Sequence, residues 1–398
     1  MSKKNNNGLI ALVGALTTLG PFTVDPYLPS FPKIAAELGA DLSTIQLSIS
    51  AITLGFVIGT VLVGPISDAY GRRKPLLYSA FGYFVATIAL AFATNVPLFF
   101  AAKVGQGLAS SAMFVVCTAI VRDLYSGLKL IKAMGQMFLV GAAAWVIAPT
   151  SGSLALLFTD WRGLALLIAV FAGLLLLLAY KVLPETRIVT DKQKVNFGVV
   201  FKGFGKVLKD RTFTGLVIVS MCVGVSQFGY IVVFPTVIGT TFQVPPNQIG
   251  LYFAANSLCA YVGIQAASWL GRKFSTRWVI AVAIVSGLAI GFVLVSIGAG
   301  QANLAAAVFG TFAWLFFFGA LFTLVQSLAL AHHGEEAGTA SALMSSAGYV
   351  ATTLAGPYFT SLNMRSTEGY GGNILLFMAI ALIAYVVIVR PWQMKDLH

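Results

Sequence analysis

Charge is what this chain lacks most. Only 10% of its 398 residues are charged, and no more than 13 are acidic. A soluble domain of this length needs far more charge to cover its water-facing surface, so a soluble fold is excluded. Cysteine is scarce as well. Cys117, Cys222 and Cys259 lie apart in apolar runs. An odd, unclustered set builds neither a disulfide framework nor a metal site, and these read as small core residues. Histidine occurs three times, and His332-His333 ahead of Glu335-Glu336 reads as a solvated turn, because a metal needs ligands that converge. There is no glycine-rich phosphate loop, no nucleophile beside a base and no metal-ligand spacing. These absences exclude a catalytic centre, a metal, a cofactor and an ATP site, so any energy must come from an ion gradient.

What the chain does have is apolar length. Apolar residues make up 58% of it and glycine occurs 40 times, with a mean hydropathy of +0.88. Abundant glycine suits helices packed closely in lipid. Twelve apolar runs cover about 9–29, 43–63, 76–93, 97–121, 133–157, 163–183, 212–238, 248–270, 278–298, 302–330, 338–361 and 373–390. Each is about the 20 residues that a ~30 Å hydrocarbon core requires, or longer. Of the 25 Lys and Arg, all but Lys33, Lys103, Arg162 and Arg365 fall in segments on one side of such a bundle. By the positive-inside rule that side is the cytoplasm, and both termini lie there. The net charge of +12 therefore belongs to a membrane face and does not point to nucleic acid. Lys3-Lys4 before Leu9–Leu19 has the shape of a signal peptide. The run continues through Asp25 and Pro26 to Pro29 with no cleavage site, so it reads as an uncleaved first helix.

The runs fall into two sets of six around the basic stretch Pro184–Arg211, which holds seven Lys/Arg against three acidic residues. The expected organisation is an N-terminal six-helix bundle over 1–183, a cytoplasmic linker over 184–211 and a C-terminal bundle over 212–398. The fold class is an all-α membrane protein of twelve transmembrane helices in two six-helix pseudo-repeats. In the linker, Phe197, Val200, Phe201, Phe204, Val207 and Leu208 recur at helical spacing opposite Lys202, Lys206 and Lys209. That pattern predicts an amphipathic helix on the anionic inner leaflet, the alternative being a plain solvated linker. Gly271–Arg277, after the eighth run, looks like a degenerate copy of Gly64–Lys74, with the glycine and the basic pair but no counterpart of Asp68.

Gly64-Pro-Ile-Ser-Asp68-Ala-Tyr-Gly71-Arg72-Arg73-Lys74 joins the second and third runs. A turn this short between two crossings is a tight hairpin, its glycines allow the helices to end close together, and Asp68 is placed to meet the positive end of a helix. Arg122-Asp123 closes the fourth run at the same side, so Asp123 is expected to pair with Arg72 or Arg73 and latch an inner gate; the alternative is an interfacial pair of little energy. Asp25 is the only acid well inside a run and Lys103 the only base. Counting along each helix puts them about 6 Å and about 9 Å below the outer surface. An ionised carboxylate there must face a polar cavity, pair with a base or take a proton. The expectation is that Asp25 and Lys103 face one another and couple a proton to transport. Two snorkelling side chains, or an inert buried pair, are the alternatives. Pro26 and Pro29 break the helix ladder beside Asp25 and expose carbonyls that need polar neighbours. Tyr27, Gln106, Trp145, Tyr230, Phe234 and Asn256 are candidates for the substrate cavity, or else packing and interhelical ties.

The hairpin resembles the loop between helices 2 and 3 of the major facilitator superfamily, G-x-x-x-D-x-x-G-R-R/K. More narrowly, the chain resembles the Bcr/CflA (bicyclomycin-resistance-like) family of the drug:proton antiporter branch. Asp25-Pro-Tyr27-Leu-Pro29 is similar to that family's D-x-Y-L-P, and Val121-Arg122-Asp123-Leu-Tyr125 to its helix 4 ending. Ala148-Pro149…Gly152 resembles its helix 5 antiporter motif, and Asp160-Trp161-Arg162 the approach to helix 6. Ile249–Asn256 and Ala337–Leu343 look like its helix 8 and 11 openings. There are two departures: Lys103 stands where R-x-x-Q-G has arginine, losing the planar fork, and Ser153 replaces the second glycine of the helix 5 motif.

The resemblance implies a proton-driven antiporter of the bacterial inner membrane. It would export small amphiphilic compounds by alternating access, as a monomer in the lipid bilayer, with a small molecule and protons as its partners. An exporter dedicated to one metabolite (a siderophore, amino acid or sugar) is the nearest alternative. An uptake symporter and a non-transporting receptor stand further off.

Overall fold

The computed structural model describes residues 3–125, 127–187, 197–298, 303–331, 337–361 and 366–394. Among them there is no strand. The chain forms two compact units, 1–197 and 198–398.

The first run is not one helix. It divides into α1 (Lys3–Thr17), α2 (Leu19–Phe22), a 3-10 turn over Asp25–Ser30 and α3 (Phe31–Glu37). Pro21, Pro26, Pro29 and Pro32 explain the break, since each lacks the N–H of an α-helical ladder and crowds the preceding turn. Then come α4 (Leu42–Tyr70), α5 (Arg73–Ala91), α6 (Val96–Leu124), α7 (Gly127–Ala155) and α8 (Trp161–Val182). Two of the helix starts are written in side chains: Asn95 accepts from Leu98 N and Asp160 from Gly163 N, each satisfying a donor the first turn leaves free.

A helix α9 (Phe197–Val207) precedes the second unit's bundle. On it Lys202 and Lys206 are exposed and Val207 is buried; the side chains of Phe197, Val200 and Phe201 lie outside the described residues. The bundle holds α10 (Arg211–Thr236) with a π-turn over Val237–Thr241, then α11 (Pro246–Lys273), α12 (Thr276–Gly298), α13 (Leu304–Ala331) and α14 (Ala337–Ser361). It ends with α15 (Thr367–Ala384) and its π-turn Tyr385–Val389. Ten helical stretches among the described residues are long and apolar enough to cross a membrane. With α7 and α14 they account for the twelve crossings. The His332–Glu336 turn lies outside the described residues.

Each unit repeats one packing scheme. In the first, α4 and α5 both pack on α6, and α5 on α8; in the second, α11 and α12 both pack on α13, and α12 on α15. The closest crossings use matched glycines. Gly107 of α6 leaves no room for a Cβ against the Ile52 carbonyl of α4, and Gly319 of α13 none against the Ala260 carbonyl of α11. Backbone-to-backbone approach of this kind replaces the hydrophobic effect as the cohesive force between helices in lipid. The outer faces carry Phe81 and Val85 on α5 and Leu167, Val170, Leu174 and Leu177 on α8, all exposed. These are surfaces that only hydrocarbon solvates.

Candidate functional site

Three clusters hold the chemistry-bearing side chains, two in the first unit and one in the second. The first forms around the α4–α5 turn. Gly71 has φ +85, a backbone that side chains rarely adopt, and it lets Arg72 fold back on α4. Arg72 is 4% exposed. Its Nη2 meets Asp68 Oδ1 at 2.7 Å, its Nε meets Asp123 Oδ2 of α6 at 2.8 Å, and its Nη1 donates to Ser67 Oγ at 2.7 Å. Burial opposes the charge, but the hydrogen bond to Asp123 and the two carboxylates outweigh it, so the Arg72 pKa is raised and the group is firmly cationic. Of the two arginines that Asp123 was expected to choose between, the structure pairs it with Arg72. Arg73 goes elsewhere, donating to the Tyr180 carbonyl of α8 at 2.8 Å. Arg122 points outward, exposed at the end of α6, and Gly64 sits in open space, its nearest neighbour Val115 at 3.9 Å from a notional Cβ.

Glu185, just beyond α8, belongs to this cluster, although no motif marks it in the sequence. Its carboxylate accepts from Arg72 N at 2.7 Å and from Arg73 N at 3.1 Å, capping the first turn of α5. It also accepts from Thr186 N and Arg187 N, while Arg187 Nη1 reaches Asp68 Oδ1 at 2.7 Å. The signal available beforehand was the string Pro184-Glu185-Thr186-Arg187, an acid and a base at the end of a span. The residue is legible only as a charge; its partner is not.

The second cluster surrounds Lys103, which is 1% exposed on α6. Its ammonium donates to the Thr23 carbonyl at 2.7 Å and stands 3.9 Å above the Tyr27 ring. Thr23 O is free to accept because Pro26 has no N–H and Tyr27 N turns to Val24 O instead. The proline break thus creates the acceptor that holds the lysine. Thr23 Oγ1 and Tyr83 OH both donate to Leu19 O, and Gln106, one turn along from Lys103, donates to Thr87. The expected Asp25–Lys103 ion pair is not made: among the described residues Asp25, half-buried, has no ion pair or hydrogen bond. It lies two residues beyond the carbonyl that Lys103 uses. Gly152 of α7 abuts Pro26, whose carbonyl would be 2.7 Å from a Cβ there. Ala148 and Pro149 are buried one turn earlier. The helix 5 motif and the Asp25 turn are therefore packed directly against one another, which the sequence did not reveal.

In the second unit Tyr230 and Phe234 of α10 meet Phe253 of α11 at ring distances of 5.3 and 5.9 Å, and Tyr370 of α15 lies 6.5 Å from Tyr230. One turn beyond Phe253, Asn256 is fully buried, and among the described residues neither side-chain amide atom has a hydrogen-bond partner. A buried amide left open in this way is ready for a ligand or water. Of the expected cavity residues, Tyr230 and Phe234 thus converge on Phe253, with Asn256 one turn further along α11. Tyr27 and Gln106 belong to the Lys103 cluster, and the side chain of Trp145 lies outside the described residues.

Residues 10–357 match the family described as Major Facilitator Superfamily. The chain belongs to the major facilitator superfamily. An uncharacterized MFS-type transporter of Bacillus subtilis, YdgK, is 30% identical over 384 residues, covering 96% of this chain and 95% of its own. A bicyclomycin resistance protein homolog of Haemophilus influenzae is 25% identical over 385 residues and 94% of each chain. Among solved structures, a D-xylose-proton symporter superposes with a TM-score of 0.77 at 17% identity over 100% of both chains, a likeness of fold alone. As a member of the superfamily the protein is a multi-pass membrane transporter and not an enzyme, and the expected kinship with drug-resistance transporters agrees with these relatives.

Proposed function

We propose that the protein is a proton-coupled exporter of small amphiphilic compounds, a drug:proton antiporter of the bacterial inner membrane, monomeric and with both termini in the cytoplasm. The observation that carries this reading is the proline-broken turn of the first span. The cation buried against it, Lys103 of α6, is already satisfied by the Thr23 carbonyl, which leaves the nearby Asp25 carboxyl uncommitted. A carboxyl at that depth needs a proton or a cation to neutralise it. Proton uptake at Asp25 resets the turn, and because Gly152 presses on Pro26, a change there moves α7. The Arg72–Asp68–Asp123 latch holds the opposite end of the same unit closed until the helices separate. One charge moving through 100 mV is worth about 2.3 kcal/mol, sufficient for a concentration ratio of tens-fold per proton. The relative named for bicyclomycin resistance supports export of drugs, and the open Asn256 amide, one turn along α11 from the Tyr230–Phe234–Phe253 rings, supports uncharged aromatic cargo with hydrogen-bonding groups.

The test is transport in proteoliposomes under an imposed proton gradient. Asp25→Asn should abolish gradient-driven accumulation while leaving substrate exchange at zero gradient intact. Gradient-driven transport surviving in Asp25→Asn would overturn the coupling scheme.

A further inference from the structure

We propose that the ends of α10 and α15 form a binding site for the phosphate group of an anionic phospholipid. A cleft of about 420 Å³ opens there, lined by Arg211, Thr212, Arg390 and Gln393 together with Ile388, Val389 and Met394. Two guanidinium groups converge on it. Arg211 Nη2 donates to the Val387 carbonyl at 2.5 Å, and Arg390 Nε donates to the same oxygen at 3.3 Å. Neither guanidinium has an ion pair or any further hydrogen bond among the described residues. Arg390 therefore keeps the two-pronged edge of its guanidinium free, the geometry that grips a phosphate through two parallel bonds.

The cleft is built rather than incidental. The π-turn Tyr385–Val389 ends with Arg390 at φ 54, a conformation rare for a side chain of this size. The turn that follows is braced by Arg277, whose Nη1 donates to the Pro391 and Met394 carbonyls and whose own carbonyl accepts from Tyr385 OH at 2.7 Å. Gly215 brings α10 into contact with Val389, whose Cγ2 would be 2.5 Å from a Cβ there. The carboxylate closest in sequence, Asp210, accepts from Thr212 N as the cap of α10. Two like charges drawn to one carbonyl repel, and an anion seated between them relieves that.

The location selects the source of the phosphate. The cleft lies where two membrane-crossing helices end, beside Trp392, which is exposed and of the type that settles at headgroup depth. Lys202 and Lys206 are exposed on α9 of the same unit, so the surface attracts anionic lipid generally. The cleft adds a specific seat. A choline headgroup brings its own cation toward two arginines and is disfavoured, whereas phosphatidylglycerol brings none.

The experiment is a thermal-shift titration of the full chain in neutral detergent with dioleoylphosphatidylglycerol, dioleoylphosphatidylcholine and inorganic phosphate. Phosphatidylglycerol should raise Tm saturably, phosphatidylcholine should not, and the Arg211→Gln/Arg390→Gln variant should bind phosphatidylglycerol at least about tenfold more weakly, 1.4 kcal/mol. Lys202→Gln/Lys206→Gln should keep most of the affinity. Loss in the lysine variant with retention in the arginine variant would overturn the site. A shift from inorganic phosphate equal to that from the lipid would overturn the lipid as the source. Should the arginine variant fail to fold, Arg211→Lys/Arg390→Lys keeps the charge and loses the fork; unchanged affinity there overturns the proposal equally.

Discussion

The Glu185 carboxylate occupies the space that a side chain on Gly71 would need: a Cβ there would stand 2.6 Å from Glu185 Oε2. A glycine of the turn and an acid from beyond α8 are thus one device. The glycine permits the positive φ and clears the way for the carboxylate to reach the N–H groups that open α5.

Gly71→Ala should therefore be more harmful than loss of the acid itself. It forces a strained backbone, about 1–3 kcal/mol, and expels the carboxylate as well. Glu185→Ala removes the cap of α5, about 1 kcal/mol, with the exposed contacts to Thr186 N and Arg187 N, and Glu185→Gln costs less. Equilibrium unfolding in detergent should rank the three in that order; a Gly71→Ala variant as stable as wild type would refute the relationship.

The two carboxylates on Arg72 should not count equally. Asp68 is 52% exposed and Asp123 23%, so water screens the first pair more. Double-mutant cycles are expected to give a coupling of about 1–3 kcal/mol for Arg72 with Asp123 and under about 1 kcal/mol for Arg72 with Asp68. Raising salt should weaken the second more than the first.

Lys103→Met should leave the Thr23 carbonyl unsatisfied inside the bundle, a loss of about 1–3 kcal/mol. Pro26→Ala restores a backbone N–H within reach of that carbonyl. The Pro26→Ala/Lys103→Met pair should therefore be more stable than the two single losses added together. Strict additivity would show that the carbonyl is not what the lysine serves.

Two glycines of the motifs should part company. Gly152→Ala presses on Pro26 and should lower stability by about 1–3 kcal/mol, with transport falling alongside. Gly64 lies inside α4 with nothing closer to a notional Cβ than Val115 at 3.9 Å, so Gly64→Ala should leave stability unchanged or raise it by up to about 1 kcal/mol of helix propensity. Thermal unfolding of the two variants side by side decides this.

Much was legible because the bilayer acts locally. A span is a property of consecutive residues, so the crossings and the broken first run could be read from apolar length and from Pro26 and Pro29. The hairpin motif named the superfamily, and Asp68 and Arg72, four apart at the end of a helix, had to be neighbours in any fold. Depth was readable too, and it put Lys103 level with the Asp25 turn.

Depth is not azimuth, however. Rise per residue says how far down a helix a group lies but not which way it faces, and the 3-10 turn after Val24 rotates Asp25 off the direction that an unbroken helix predicts. Only the tertiary structure could decide that Lys103 binds the Thr23 carbonyl, that Gly152 bears on Pro26, and that Glu185 returns to cap α5. By itself the sequence determined the helices, their number and the charges at their ends, because those follow from neighbours along the chain. The partners were decided by the rotation of each helix and by the close approaches its glycines allow, both products of packing among segments far apart in sequence.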